Sequence, residues 1–319
     1  QPPRCPFYGE VDAIWLRRDR IDSVPLQTLG NLGDVILSTD GLTEPFRAGT
    51  RATVGHSCGD SCWQVDATYF YIDTWDDTVA VRDTTPNPPN IGGIGNMFSP
   101  FTNFGHPPII GFDYNDFVNI REFSEFQSAE LNFRYTVPMP HECLTAKLLL
   151  GFRYISVNEQ FDYFTHSNVP VTVPPTGSSV YLNTLTRNDL FGPQLGGEFY
   201  FFAYPCCWID VGIKGVLCDN RAVQHTTGII TDPGIDVDQY RKRDATAFVG
   251  DLDVELVWKW NRHTMLRLGY QAIWVNNLAL ATRNFDPSAD ILLNNGPPQI
   301  DTIGRAVYHG PHIGLEFGW

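Results

Sequence analysis

Apolar and polar residues alternate along most of this chain, and a period of two puts each kind on its own face only in a strand. Phe248, Gly250, Leu252, Val254, Leu256 and Trp258 interleave with Val249, Asp251, Asp253, Glu255, Val257 and Lys259. On a helix the three acids would spread around the cylinder; on a strand they share one face, opposite an apolar one. Leu131, Phe133, Tyr135 and Val137 stand in the same way against Glu130, Asn132, Arg134 and Thr136. The pattern recurs over 65–71, 146–154, 209–217 and 266–274.

The alternation predicts about ten strands (range eight to twelve), near 7–19, 45–56, 62–75, 119–137, 144–165, 180–203, 207–224, 243–260, 263–281 and 303–319. Many exceed the ~5–6 residues usual in soluble sheets and reach the ~9–11 residues of a tilted membrane strand. Short connections (57–61, 138–143, 204–206, 261–262) alternate with long ones (20–44, 76–118, 166–179, 225–242, 282–302). An even strand count leaves both termini at the short-turn rim, where the first and last strands can pair and remove the edges that lipid would not tolerate. The fold class expected is all-β: a single closed antiparallel transmembrane β-barrel over residues 1–319, with short periplasmic turns and long extracellular loops.

Composition narrows the alternatives. With 43% hydrophobic residues the chain is not disordered, and a formal charge of -14 argues against nucleic acid as a partner. No stretch reaches the ~18 uncharged apolar residues of a membrane helix. The best candidate, 144–155, is cut by Lys147 and Arg153. A soluble ligand-binding barrel is disfavoured, because the outward faces would form one continuous exposed apolar patch.

Six of the seven cysteines (Cys5, Cys58, Cys62, Cys143, Cys206, Cys207) fall at the short-turn rim and are disulfide candidates; Cys218 is the leftover thiol. Six cysteines allow 15 connectivities, so no pairs are assigned. The chain starts at Gln1 with no apolar leader, which reads as a mature product after signal peptide removal. The absence of an Asn-x-Ser/Thr sequon favours a bacterial origin. All eight tryptophans (15, 63, 75, 208, 258, 260, 274, 319) lie near predicted strand ends, where aromatic girdles form, although parity turns Trp208 inward. The proline- and glycine-rich loop 84–110 cannot be regular structure; it folds over the barrel mouth, enters the lumen, or contacts a neighbour.

Four stretches carry a resemblance. They are Leu148-Leu149-Leu150-Gly151-Phe152-Arg153-Tyr154 with Asn158-Glu159; Asn188-Asp189-Leu190-Phe191-Gly192-Pro193-Gln194-Leu195-Gly196; Trp208-Ile209-Asp210-Val211 to Lys214-Gly215; and Tyr308-His309-Gly310 through Gly314-Leu315-Glu316-Phe317 to Trp319. In this order they resemble the outer-membrane β-barrel porin family typical of planctomycete bacteria, best from about residue 120 onward. The resemblance implies a barrel in the bacterial outer membrane. The chain departs from the family in the 84–110 insertion and in its high cysteine count, which point to an extra structural role. Ile313, Leu315, Phe317 and Trp319 alternate outward to a terminal aromatic residue, resembling the assembly signal read by the outer-membrane insertion machinery.

Parity also defines the lumen. Arg47, Arg51, Arg134, Lys147, Arg153, Lys214, Lys259 and Arg267 point inward. So do Glu10, Asp12, Asp66, Glu130, Glu198, Asp210, Asp251, Asp253, Glu255 and Glu316. The signs nearly balance, which fits either a narrow polar conduit or a salt-bridged plug.

No catalytic constellation is present: no Gly-x-Ser-x-Gly, no Walker loop, no His-Glu-x-x-His. His309 and His312, three apart on a strand, cannot jointly hold a metal. No cofactor is expected, apart from a weak case for Ca²⁺ at the loop acids Asp76-Asp77 or Asp113 to Asp116, which lack EF-hand spacing. The expected partners are outer-membrane lipid, the insertion machinery, and other copies of the chain in a homo-oligomer or array. The expected role is passive and non-enzymatic: a narrow or plugged porin, or alternatively a structural envelope protein.

Overall fold

The computed structural model describes residues 7–19, 23–57, 62–83, 95–109, 111–139, 144–167, 178–204, 206–231, 234–288, 291 and 299–319. Its strands are β1 (Phe7–Asp19), β2 (Pro25–Leu29), β3 (Asp34–Ser38), β4 (Arg47–Ser57), β5 (Trp63–Arg82), β6 (Met97–Phe98), β7 (Phe117–Val137), β8 (Leu144–Ser167), β9 (Ser178–Tyr204), β10 (Cys207–Ile230), β11 (Ile235–Lys259), β12 (Thr264–Leu278) and β13 (Gly304–Gly318). One short helix, α1 (Ala281–Asn284), precedes β13.

Among the described residues, ten strands close in the order β1-β13-β12-β11-β10-β9-β8-β7-β5-β4, every pair antiparallel. They are the ten that the alternation predicts. β1 closes the barrel on β13 from Tyr8↔Gly318 to Asp19↔Val307. Phe7 and Trp319 exchange backbone hydrogen bonds of 3.2 and 3.0 Å just beyond that ladder.

The outer face changes chemistry partway up each long strand. On β11 it runs Trp258, Leu256, Val254, Leu252, Gly250, Phe248 from the short-turn rim, and then Thr246, Asp244, Lys242, Tyr240, Asp238. On β10 the change falls between Leu217 and Asp219, and Leu217 is paired with Phe248. On β8 it falls between Tyr154 and Ser156. From Trp258 to Phe248, at 3.4 Å per residue and ~40° tilt, the apolar band is ~26 Å tall, the height of a membrane barrel's lipid belt. β9, with 27 residues, would rise ~70 Å by the same arithmetic. The barrel therefore stands well clear of the belt on the long-loop side.

Inside, the upper barrel is filled by its own connections. β2 and β3 form a hairpin, and β6 pairs with β2. Leu26, Leu37, Met97, Phe101 and Phe112 from these segments pack against Val118, Ile120, Phe161, Tyr163 and Leu182 of the wall. Phe285, just after α1, touches Phe101, Phe161 and Tyr163 at ring distances of 5.9, 5.3 and 5.2 Å. Gly95 allows the close pass of the segment: a Cβ there would lie 2.1 Å from the Asn115 carbonyl oxygen. The described part of the proline-rich loop, 95–109, thus enters the lumen, and residues 84–94 lie outside the described residues.

Three expectations need correction. β5 continues to Arg82, so Asp76 and Asp77 are strand residues rather than loop acids. Residues 225–230 and 235–242 form the upper part of the β10/β11 hairpin instead of lying in a long loop. Trp75 is buried, not in a girdle, because the register shift between Ile72 and Trp75 turns both inward. Its Nε1 donates to the Pro45 carbonyl at 3.1 Å. Trp208 is buried as parity requires, and the other six tryptophans are exposed on the outer face or rim.

Cys62, Cys206, Cys207 and Cys218 are free thiols. Cys62 precedes β5 and Cys206 precedes β10, with β7, β8 and β9 between them, so ~15 Å or more of sheet separates them, twice the reach of a disulfide. Cys5, Cys58 and Cys143 lie outside the described residues.

Candidate functional site: a charged vestibule below an apolar septum

The lumen is stratified. Nearest the short-turn rim is a charged vestibule, above it an apolar septum, and above that the loop-filled cap. A cavity of about 140 Å³ occupies the vestibule and reaches the rim at Ser57, Met265 and Gly318.

Of the lumen candidates, Arg51, Glu130, Arg134, Lys147, Arg153, Glu198, Asp210, Lys214, Asp253, Glu255, Arg267 and Glu316 line this cavity. Asp251 lies just behind, bonded to Arg153 Nη1 at 2.7 Å. Arg47 does not join them. It sits at the upper end of β4 and donates to the Asp76 carbonyl at 3.2 Å.

The two walls differ in charge. On one, Arg134, Lys147, Arg153 and Lys214 face Asp66, Glu130, Glu198 and Asp251. Arg134 binds Asp66 and Glu198 at 3.1 and 3.3 Å. Arg153 reaches Glu130 and Asp251 at 3.3 and 2.7 Å, and Lys214 reaches Glu130 at 3.0 Å. Lys147 sits over the Tyr200 ring, 4.8 Å from its centre. That wall is neutral.

On the other wall only Arg51 and Arg267 face six carboxylates: Glu10, Asp12, Asp210, Asp253, Glu255 and Glu316. Arg51 contacts Asp12 at 2.6 Å, Asp253 at 2.8 Å and Glu255 at 3.2 Å. Arg267 holds Glu10 at 3.2 Å and Glu316 at 2.8 Å, and also Glu255. Arg47 and Lys259 are not part of the lining, yet the residues that do line the cavity number six cations and seven carboxylates, so the signs nearly balance overall while the cations gather on one wall. The negative wall has four more carboxylates than cations.

His312, fully buried on β13, belongs to the negative wall. Arg51 donates to its Nδ1 at 3.3 Å, so its Nε2–H is left to donate to Asp253 at 2.8 Å. That pattern makes Nε2 the donating nitrogen of the ring. One potential ligand atom from each of Asp253, Glu255 and His312 lies within 4.8 Å of the others, the spacing of a metal site. The Arg51 guanidinium already fills that space, and Nε2 is spent as a donor, so the triad does not fit a metal.

The septum is built by every barrel strand except β4. It includes Ile14, Leu16, Phe70, Ile72, Trp75, Phe126, Ile155, Leu190, Val216, Val249, Ile273 and Tyr308, all at most 3% exposed. At this level β4 supplies Gly49, where a Cβ would meet the Ile72 side chain at 2.5 Å. Cys218 is buried in the same layer. Above the septum Arg18, 3% exposed in its side chain, is held by Glu44, Glu122 and Glu159 at 3.1, 3.1 and 2.5 Å.

The loop acids proposed for Ca²⁺ are committed elsewhere. Asp76 pairs with Arg121 at 2.6 Å, and Asp77 accepts from the Thr43 amide and hydroxyl. Asp113 accepts from the Ser99 and Ile109 amides and the Thr102 hydroxyl at 3.0, 2.8 and 2.8 Å. Asp116 pairs with His166 at 2.7 Å. These are staples of the cap and upper wall.

Sequence reasoning missed Arg18, Glu122, Glu159 and His312. The signal was available: each has inward parity on a strand that the alternation had already identified. The terminal Ile313, Leu315, Phe317 and Trp319 all point outward.

A family model described as "Putative beta barrel porin-7 (BBP7)" matches residues 22–319. A search of curated proteins gave no match. Among solved structures, the outer membrane protease OmpT from Escherichia coli aligns with TM-score 0.55 and 9% identity, over 99% of this chain and 97% of that one. The Pseudomonas putida toluene transporter TodX aligns at 0.40 and 9%, over 99% and 91%. The translocator domain of the autotransporter NalP from Neisseria meningitidis aligns at 0.35 and 9%, over 98% and 88%. At these identities the likeness to OmpT speaks for the fold alone.

Proposed function

The chain belongs to the beta barrel porin-7 family, and from that premise we propose that it is a passive, non-enzymatic porin whose resting lumen is closed. Membership makes it a β-barrel protein of the bacterial outer membrane, in contact with lipid. The proposal adds that solute movement is limited to small ions and solutes, and waits on displacement of the septum and cap. The observation that supports it is the septum, a layer of buried apolar side chains contributed by nine of the ten strands. An ion crossing that layer would lose its hydration with little beyond the Tyr308 hydroxyl to replace it. On this reading the vestibule is a polar antechamber opening to the periplasm. Removal of a signal peptide before insertion, and recognition of Ile313, Leu315, Phe317 and Trp319 by the insertion machinery, belong to the same proposal.

Single-channel recording in planar bilayers tests it. The wild type should be silent or show rare, small openings. A variant lacking 84–110 and carrying Trp75→Ala and Tyr308→Ala should give discrete steps. Large steady conductance from the wild type would refute the closed lumen. Silence from the opened variant, with insertion verified, would favour the second reading, a structural envelope protein whose barrels assemble through their exposed upper halves. The filled upper barrel, standing outside the apolar band, is the feature that fits that reading.

A further inference from the structure

We propose that the vestibule binds a hydrated divalent cation, Ca²⁺ or Mg²⁺, at Asp210, admitted from the short-turn rim. The inference does not depend on whether the barrel conducts. In the β10/β11 ladder Asp210 stands directly opposite Glu255, and in the β1/β13 ladder Glu10 stands opposite Glu316. Like charges at opposed positions destabilise a sheet unless something neutralises them. Arg267 lies between the two pairs and is their shared cation. Its Nη groups donate to Glu316 and Glu255, its Nε lies 3.2 Å from Glu10 as an ion pair without a hydrogen bond, and Asp210 is left 3.9 Å away, beyond hydrogen-bond reach.

Asp210 Oδ1 has no hydrogen-bond partner among the described residues, although the side chain is only 8% exposed. A buried carboxylate oxygen without a hydrogen bond is costly, and Asp210, whose one ion-pair contact is the long one to Arg267, is among the residues that line the cavity. The cavity, at about 140 Å³, is smaller than the ~300 Å³ at which small-molecule sites begin, but it has room for an ion with a few waters at ~30 Å³ each. Hard carboxylate oxygen plus retained water is the ligand set that Ca²⁺ and Mg²⁺ prefer. A bound divalent ion would also offset part of the excess negative charge of this wall.

Trp208 supplies a reporter. It precedes Asp210 by two residues on the same face and lines the same cavity. Full-length protein, freed of metal by chelation and held in detergent, would be titrated with Tb³⁺ as a luminescent stand-in, then with Ca²⁺ in competition and by calorimetry. The proposal expects saturable tryptophan-sensitised emission that Ca²⁺ displaces. Asp210→Asn should weaken Ca²⁺ binding roughly tenfold or more. Trp208→Phe should remove the emission and leave Ca²⁺ affinity unchanged. If Asp210→Asn loses the heat-modifiable mobility of a folded barrel, Asp210→Glu, which should retain binding, takes its place. Three outcomes would overturn the proposal: no saturable binding to the wild type, an unchanged affinity in Asp210→Asn (or a lost one in Asp210→Glu), or binding abolished by Asp76→Asn with Asp77→Asn on the outer wall.

Discussion

Arg153 shows what a buried charge does in this barrel. Its side chain is 1% exposed and holds Glu130, Asp251 and the Ser128 hydroxyl. Truncating it leaves two buried carboxylates facing each other with one cation fewer. Arg153→Ala should therefore cost about 3–5 kcal/mol of folding stability, the range for breaking a buried pair from one side. Adding Asp251→Ala should recover part of that loss, because the uncompensated charge goes with it. Denaturant titrations of the folded barrel in detergent check both, and a fully additive double variant would show that the two residues do not act as a pair. Arg153 and Asp251 were legible as inward residues from parity alone. Their partnership was not, since they lie on β8 and β11 and meet across the lumen, where only closure of the barrel brings them together.

At the scale of the element, the outer face of β11 marks where lipid ends. Val254→Arg, at the middle of the apolar band, should cost ~2–4 kcal/mol. Tyr240→Arg, on the same face eight residues above Phe248, should be close to neutral. Equal costs would place the boundary elsewhere. The same switch explains why sequence reading stopped β11 near residue 243 and β5 near residue 75. Above the boundary the outer face is charged and the inner face packs on loops, so the apolar stripe being tracked changes sides. The β2/β3 hairpin and β6 escaped notice for a related reason: strands of two to five residues are too short to show a period. Asp113 anchors the segment that β6 belongs to. Asp113→Ala strips the acceptor from the buried Ser99 amide and from the Ile109 amide, and should raise hydrogen exchange across 97–109 while leaving the barrel strands protected. Unchanged exchange would mean the cap is held by Phe101 and Phe112 packing alone.

At the scale of the whole molecule, cap and septum are barriers in series, and series barriers do not yield one at a time. Deleting 84–110 removes Met97 and Phe101 from the cap but leaves Ile14, Phe126, Ile155 and Tyr308 in place. The deletion alone should therefore raise conductance little, and so should Trp75→Ala with Tyr308→Ala under an intact cap. Combined, they should open a path through the vestibule, whose negative wall then sets selectivity. With six carboxylates against Arg51 and Arg267, that wall attracts cations, and low-dielectric surroundings strengthen the field. In a KCl gradient the opened variant should show a reversal potential on the cation-selective side. Adding Glu316→Gln should move it toward zero, and Arg267→Gln should move it further from zero. The neutral wall supplies the internal control: exchanging Lys147 and Glu198 for one another keeps its net charge and should leave the reversal potential nearly where it was. A potential insensitive to all three changes would mean that ions cross the opened barrel without passing Arg267, and that the vestibule is not on the path.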